Sequence, residues 1–275
     1  MLEYKSFGNR LEIFMSFRDW LTGDGVTNIG TEYSFLYWMT LLFTLLILGG
    51  LIALCLIKKI PYKVKQNVLV GVSIFHIAFE VLWRIVYIAF KNATFASLWP
   101  MYPCNLGGII VPIVCLMNSK RGKDLFYVFG FVGACLSLML PGNMYSYDFM
   151  AFPLFKSALQ HTGILLIPAM EYAMGKYRPS IKDFPLLFVG CLVHIFNAEA
   201  IDQWIGLEPA VNDYMYLRQG YPFTIPGIPG PFVTCGCGLV VFALLLFILN
   251  PKQSINDLKE LKTNIQNKFK KEEQQ

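Results

Sequence analysis

Three ionisable side chains recur at helical spacing inside one apolar stretch of the sequence. His76, Glu80 and Arg84 follow one another at intervals of four residues, so on a helix they form one stripe along a single face. Ionisable groups within a bilayer are costly and are usually retained for function. The stripe is therefore expected to face the interior of a helix bundle or a water-filled cleft. It is either part of a functional site or contains a Glu80–Arg84 ion pair with a purely structural role.

Cys104 has the surroundings of a nucleophile. Pro103 suits the first position of a helix, which places Cys104 in the first turn, where free N–H groups and the helix dipole favour a thiolate. Pro100 and Pro103 mark the preceding segment 97–103 as irregular chain that dips below the membrane surface and shapes a pocket. The alternative is a small core residue, which is the usual place of a cysteine in an apolar helix and the one expected for the other six cysteines.

His161 is the expected partner of Cys104. A histidine can take the proton of a thiol or activate an attacking hydroxyl, or it can merely donate to a backbone carbonyl in helix packing. His194 competes for the role. Glu171 is expected near a membrane interface, and Lys156 is expected near a loop.

The candidate residues share one depth along the chain. Counted from the nearest flanking lysine, Glu80, His161 and Asn197 are each 15 residues away and Cys104 is 16 residues away. At about 1.5 Å per residue, four helices place a polar or reactive side chain roughly 22 to 24 Å above the inner boundary. His194 lies three residues deeper than Asn197, so Asn197 occupies the shared level on that helix.

The elements that position these residues are expected to be membrane-spanning helices. The 275-residue chain is 55% hydrophobic and 15% charged, with a mean hydropathy of +0.50, whereas an average soluble domain has about 25% charged residues. This composition excludes a soluble enzyme, a disordered chain and a disulfide scaffold. The charges that give the net +5 lie between apolar runs, so they indicate membrane topology and not a nucleic-acid partner.

Seven apolar runs are near the length of about 20 residues that a helix needs to cross a bilayer. The expected spans are residues 33–57, 66–90, 104–118, 125–142, 155–173, 184–201 and 232–250. They form one all-α transmembrane domain at 33–250, without an internal repeat.

The two ends of the chain are expected to lie on the membrane surface. Residues 1–32 are an interfacial segment whose short helix, around 10–21, stops at Gly23. Residues 251–275 form a basic amphipathic helix on the anionic cytoplasmic face, with Ser254 and Asp257 as its capping pair.

Lysine and arginine residues predict the orientation. They concentrate in the first, third and fifth connections and in the tail, and basic residues are retained on the cytoplasmic side. The N-terminus is therefore expected outside and the C-terminus in the cytoplasm. The predicted localisation is a multi-pass membrane protein, in the plasma membrane if the source is bacterial.

Four segments resemble the YwaF family of bacterial integral membrane proteins. They are WPMYPCNLGG at 99–108, ALQHTGILL at 158–166, NDYMYL at 212–217 and GPF at 230–232. That family is similar to the transmembrane protein 164 family, whose members are acyltransferases that move fatty acyl chains onto ether lysophospholipids. The resemblance covers residues 33–250 by the order and spacing of these segments.

The resemblance implies that Cys104 is the catalytic cysteine and His161 the catalytic histidine. In the family pattern an acid commonly follows the cysteine and glycine directly follows the histidine, whereas here Asn105 follows the cysteine and Thr162 precedes Gly163. Because no acid follows Cys104, the reactivity of its thiol would have to be set by other groups than in the family pattern.

The predicted function is transfer of acyl chains between phospholipid and lysophospholipid through an acyl-cysteine, or the related lipid hydrolysis. Arg84 beside Glu80 would bind a phosphate, and Asn105 or Asn197 would donate to the oxyanion. The scheme needs no metal or soluble cofactor, and no cysteine pair has disulfide or zinc-site spacing.

The alternative is a non-enzymatic transporter or channel-like protein. Its polar path would be lined by His76, Glu80, Arg84 and Asn197. Below His76 the second span reads as apolar, which favours a pocket over a continuous path. A scaffold that presents the C-terminal helix to a partner is a third possibility.

Overall fold

The computed structural model describes residues 17–24, 33–91, 93–100, 102–139, 150–205 and 230–272, and its regular structure in these ranges is entirely helical. The helices are α1 Phe17–Thr22, α2 Phe35–Leu56, α3 Tyr62–Phe90, α4 Phe95–Leu98, α5 Pro103–Leu116, α6 Lys120–Met139, α7 Phe152–Ala173, α8 Phe184–Ile205, α9 Gly230–Leu249 and α10 Pro251–Glu272, with a 3₁₀ turn at Ile181–Asp183 before α8. The predicted all-α class is confirmed for this part of the chain. The segment 212–217 lies outside the described residues.

Among the described residues, four helical stretches are long and apolar enough to cross a membrane. They are α2, α3, α6 and the stretch Ile181–Ala198 that includes most of α8. A fifth span is present if Gly236–Leu249 and Pro251–Lys268, which meet at a bend of 113°, are counted as one. The protein is therefore a membrane protein, and length and composition support four or five spans in its described part. The sequence analysis expected seven spans.

Helix α7 lies at the centre of the bundle. It packs against α2, α3, α5 and α6, and most of its side chains are buried. Because other helices surround it, α7 can carry Lys156 and Glu171 without exposing these charges to lipid.

The main core joins α7 to α3, α5 and α6. Leu69, Val111, Tyr127, Ile164 and Ile167 are fully or almost fully buried there. A second apolar cluster, which includes Leu187, Phe242 and Leu246, joins α6, α8 and α9. Gly190 allows α8 to approach α6, since a Cβ at this position would overlap the backbone carbonyl of Leu125.

Helix α1 ends where the sequence predicts. Gly23 has φ +75° and its N–H donates to the Asp19 carbonyl at 2.8 Å, which is a helix stop that glycine adopts without strain. The Trp20 indole donates to the Met150 carbonyl at 3.1 Å, and Leu21 packs with Val86 beneath it. The part of the predicted interfacial helix before residue 17 lies outside the described residues.

Helix α10 is held to the protein by its polar first turns. The helix already begins at Pro251, so the predicted capping role of Ser254 and Asp257 is wrong. Ser254 Oγ instead accepts from the Ile181 N–H at 3.2 Å, and Asp257 accepts from the Gln253 side chain at 2.8 Å. The apolar residues Ile255, Leu258, Leu261 and Ile265 remain exposed. The membrane-surface position of this helix stays a prediction.

Candidate active site

One buried carboxylate lies between two cations. Glu80 Oε2 is 2.9 Å from Arg84 Nη1, and Glu80 Oε1 is 3.3 Å from Lys156 Nζ. The Glu80 side chain is 2% exposed, Lys156 is 8% exposed and Arg84 is 24% exposed. Glu80, Arg84 and Lys156 are called the ion cluster below. The stripe predicted on α3 therefore faces the bundle interior, and its ion pair extends to a second helix.

Lys156 is the site residue that the sequence analysis missed. It lies in the first turns of α7, four residues after the start of this helix. Its ammonium donates to Gln160 Oε1 at 2.8 Å and to Asn105 Oδ1 at 3.4 Å. The expected span 155–173 already puts Lys156 one helical turn before Gln160, and what the sequence did not indicate is the ion pair with Glu80 of α3.

Cys104 occupies the first turn of α5, as predicted. The helix begins at Pro103, and the Gln160 side chain donates to the Cys104 carbonyl at 2.8 Å. The thiol interacts with the backbone N–H groups of Cys104 and Asn105, and the charges of Lys156 and Glu80 act on it. Cys104 is thus fixed to α7 through Gln160 and lies within electrostatic range of the ion cluster.

His161 has one nitrogen engaged and one available. Its Nδ1 is 2.7 Å from the Ser157 carbonyl, which can only accept, so Nδ1 carries the proton and Nε2 carries the lone pair. Nε2 is buried and has no hydrogen-bond partner in the described part of the chain. Lys156, Glu80 and His76 are the charged or titratable groups that act on the ring. This tautomer is the one that a general base requires at Nε2.

His76 packs directly on α7 beside His161. A Cβ on Gly163 would overlap the His76 ring, so glycine at this position lets α3 and α7 approach. The His76 side chain is buried, and Glu80 and Lys156 act on it electrostatically. The structure therefore brings His76 and His161 to the same ion cluster.

His194 and Asn197 take other positions. His194 on α8 contacts the rings of Phe126 and Phe129, and its Nδ1 is 2.8 Å from the Gly190 carbonyl. Asn197 accepts from the Trp99 indole at 2.9 Å and donates to the Pro100 carbonyl at 2.8 Å. These contacts place His194 in an aromatic environment and engage both ends of the Asn197 amide with the segment that leads into α5.

The aromatic rings of Trp83, Phe152 and Trp20 pack between the ion cluster and helix α1. Trp83 lies with its ring centroid 5.8 Å from Lys156 Nζ and 5.7 Å from the Phe152 ring. Trp20 of α1 packs on the other part of Phe152 with centroids 5.4 Å apart. Such rings stabilise a nearby ammonium and keep water away from it. Helix α1 therefore supports the site although none of its charged residues enters it.

A second buried ion cluster lies at the other end of α7. Glu171 is fully buried, with Oε2 2.9 Å from Lys123 Nζ and Oε1 3.3 Å from Lys176 Nζ. The Cys115 thiol donates to the same carboxylate at 3.8 Å. Glu171 is thus a buried residue that joins α5, α6 and α7 at the other end of α7 from the ion cluster, and its expected depth near a membrane interface stays a prediction. The tertiary fold places Lys123 and Lys176, which the sequence pattern assigns to the connections, beside this carboxylate.

Replacing Glu171 with Gln is expected to destabilise the protein by roughly 3 to 5 kcal/mol, because it leaves two ammonium groups buried without their counter-charge. Unfolding of the purified protein in one detergent measures the effect. Glu260→Gln is the matched control, since Glu260 forms an exposed pair with Lys182 at 3.9 Å and should change stability little. Equal stability of the two variants would show that Glu171 is not a structural centre.

The chain matches the family model of the TMEM164 family over residues 30–249. No curated protein matches the chain, and no solved structure matches it. The matched range includes α2 to α9 and therefore the whole ion cluster with Cys104 and His161. This confirms the transmembrane protein 164 part of the resemblance, while the YwaF assignment and a bacterial source stay predictions. Since the match covers most of its length, the chain belongs to the TMEM164 family.

Proposed function

We propose that this protein is a membrane-embedded acyltransferase that moves fatty acyl chains between phospholipid and lysophospholipid through an acyl-cysteine at Cys104. The observation that supports the proposal is that Lys156 and Glu80 act on both the Cys104 thiol and the His161 ring, while the buried Nε2 of His161 has no hydrogen-bond partner among the described residues. A thiol nucleophile needs such a base and a site that limits water. The proposal assigns these roles to Cys104 as nucleophile and His161 as base.

In the first step, Cys104 Sγ attacks the carbonyl carbon of the acyl ester. The S–C bond forms and the ester C–O bond breaks, while His161 takes the thiol proton and gives it to the departing lysophospholipid oxygen. In the second step, the hydroxyl oxygen of the acceptor lysophospholipid attacks the thioester carbon, so that a C–O bond forms and the C–S bond breaks, and His161 passes the hydroxyl proton to the departing Cys104 sulfur. Attack by water instead of a lysophospholipid would make the reaction a hydrolysis.

The side-chain amide of Asn105 is the proposed oxyanion donor. Its Oδ1 accepts from Lys156, which directs the amide oxygen to the ion cluster and leaves the NH₂ group as the end that donates. Asn197 uses its own NH₂ group on the Pro100 carbonyl. We therefore assign Asn197 to holding the segment before Cys104, and Asn105 to the developing charge.

The test is to trap the acyl-enzyme. Purified full chain is supplied with a phospholipid carrying a labelled acyl chain, quenched and digested, and the label is located by mass spectrometry. Label is expected on Cys104 and is expected to disappear in Cys104→Ala. Cys135→Ala is the matched control, because Cys135 is another partly exposed cysteine in a helix. Full lipid remodelling by Cys104→Ala would overturn the proposal.

A transporter or channel-like protein is the second candidate. It is favoured by Ser73, which is fully buried one turn below His76, and by the Glu171 cluster further along α7. These groups extend the buried polar residues beyond the apolar stretch expected from the sequence. Solute flux into vesicles that persists in Cys104→Ala, without acyl transfer in the unaltered protein, would make this candidate the function.

The proposed topology has seven spans, with α5, α7 and α9 as the three helices added to those that length and composition support. The N-terminus is proposed outside and the C-terminus in the cytoplasm, because lysine and arginine concentrate in alternate connections. Lys252→Cys, in a background with the exposed Cys237 replaced by Ser, should react with a membrane-impermeant maleimide only after cells are opened. Labelling of intact cells would reverse the orientation.

A further inference from the structure

The ion cluster holds more positive than negative charge. Arg84 and Lys156 share the single carboxylate of Glu80, so the three charged groups sum to one positive charge in a largely buried site. An uncompensated charge in such a place favours a bound counter-ion. We propose that Arg84 and Lys156 form a binding site for the phosphate monoanion of a glycerophospholipid. This rests on the proposed function for the class of lipid, and on the ion cluster itself for the phosphate.

Arg84 has donors left for a ligand. Its contacts to the Glu80 carbonyl and to Glu80 Oε2, both at 2.9 Å, use the same nitrogen, Nη1. Nη2 and Nε make no hydrogen bond to any residue that the structure describes, and the side chain is 24% exposed. The remaining N–H groups form a planar fork, and such a fork matches two phosphate oxygens. Arg84 is therefore the group that contacts the phosphate.

Lys156 supplies fixed charge behind Arg84. Its ammonium donates to Gln160 Oε1 and Asn105 Oδ1, and Glu80 Oε1 is its ion-pair partner at 3.3 Å. The Asn105 contact is the longest of these, at 3.4 Å. Lys156 thus holds its position through α3, α5 and α7 and attracts the anion, while Arg84 makes the directional contacts.

Glu80 limits the affinity of this site. Its carboxylate occupies part of the Arg84 guanidinium and cancels one of the two positive charges. Loss of the Glu80 charge is therefore expected to strengthen phosphate binding, whereas loss of either cation is expected to weaken it. Opposite signs for neighbouring residues distinguish a charged binding site from general damage to the fold.

The experiment measures binding in the Cys104→Ala background, so that the result does not depend on acyl transfer. Full-length protein in nanodiscs of neutral lipid is titrated with a fluorescent lysophosphatidylcholine and with a monoacylglycerol that carries the same chain and fluorophore but no phosphate. Inorganic phosphate is added as a competitor in a separate arm. Arg121→Gln is the matched control, since Arg121 is an exposed arginine of α6.

Arg84→Gln is expected to weaken lysophosphatidylcholine binding by about ten-fold or more without changing monoacylglycerol binding. Glu80→Gln should strengthen the former several-fold. Arg84→Lys, which keeps the charge and loses the fork, should weaken binding nearly as much as Arg84→Gln and provides the test if Glu80→Gln does not fold. Competition by millimolar phosphate would identify a site open to free phosphate, and its absence a site for the intact lipid.

The proposal is overturned if Arg84→Gln and Arg121→Gln bind lysophosphatidylcholine alike, or if Arg84→Gln weakens both ligands equally. Failure of the proposed function gives a different result. Phosphate-dependent binding would then persist in Cys104→Ala, while the unaltered protein would form no acyl-cysteine. The two proposals are thus separated by one pair of measurements.

Discussion

His161→Gln is expected to lower the rate of acyl transfer by about 10²- to 10⁴-fold, which is the usual contribution of a general base. The physical reason is the free Nε2 of His161, whose lone pair is set by the hydrogen bond from Nδ1 to the Ser157 carbonyl. Glutamine retains a donor for that carbonyl but has no nitrogen that can take a proton at neutral pH. Initial rates with a labelled phospholipid and a lysophospholipid acceptor in nanodiscs measure the effect.

His194→Gln is the matched control for this measurement. His194 is also buried and also bonds through Nδ1 to the carbonyl four residues earlier, so both substitutions disturb the fold in a similar way. Of these two histidines, only His161 lies beside the ion cluster. The two variants are expected to melt alike and to differ in rate. Equal rates in the two variants would remove His161 from the reaction.

Local sequence signals predicted the parts of the site that depend on local structure. Pro103 marks the start of α5 and so places Cys104 in its first turn, and the four-residue spacing of His76, Glu80 and Arg84 predicts a common buried face on α3. Both follow from helix geometry alone. The end of α1 at Gly23, which has a positive φ, was likewise predicted from a local signal.

The missed residues are those whose position depends on packing between helices. Lys156 stands near the start of an apolar run, where a charge is typical of a loop, and only the approach of α3 to α7 reveals its pairing with Glu80. Lys123 and Lys176 mark topology by their place in the sequence, yet the fold turns both toward Glu171. Asn197 shares the depth of the site, but depth does not determine direction, and its amide faces Trp99 and Pro100.

The ion cluster is expected to stabilise the fold mainly through Glu80 and Lys156. Replacing Glu80 with Ala leaves Lys156 buried without its counter-charge, at a cost of roughly 3 to 5 kcal/mol. Arg84 is less affected because its side chain is 24% exposed and can turn toward solvent or headgroups. The coupling energy of Glu80 with Lys156 should therefore exceed that of Glu80 with Arg84.

Two double-mutant cycles measure these energies. One combines Glu80→Ala with Lys156→Met, the other combines Glu80→Ala with Arg84→Ala, and unfolding is followed in the same detergent. A third cycle on Lys182 and Glu260, whose side chains are 68% and 62% exposed, sets the scale of a surface pair at about 1 kcal/mol or less. The Glu80–Lys156 double variant should be more stable than the sum of its single effects predicts, since the only charge left without a partner is that of the partly exposed Arg84. A coupling energy no larger than that of the surface pair would show that water reaches Lys156 and that the ion cluster is open to solvent.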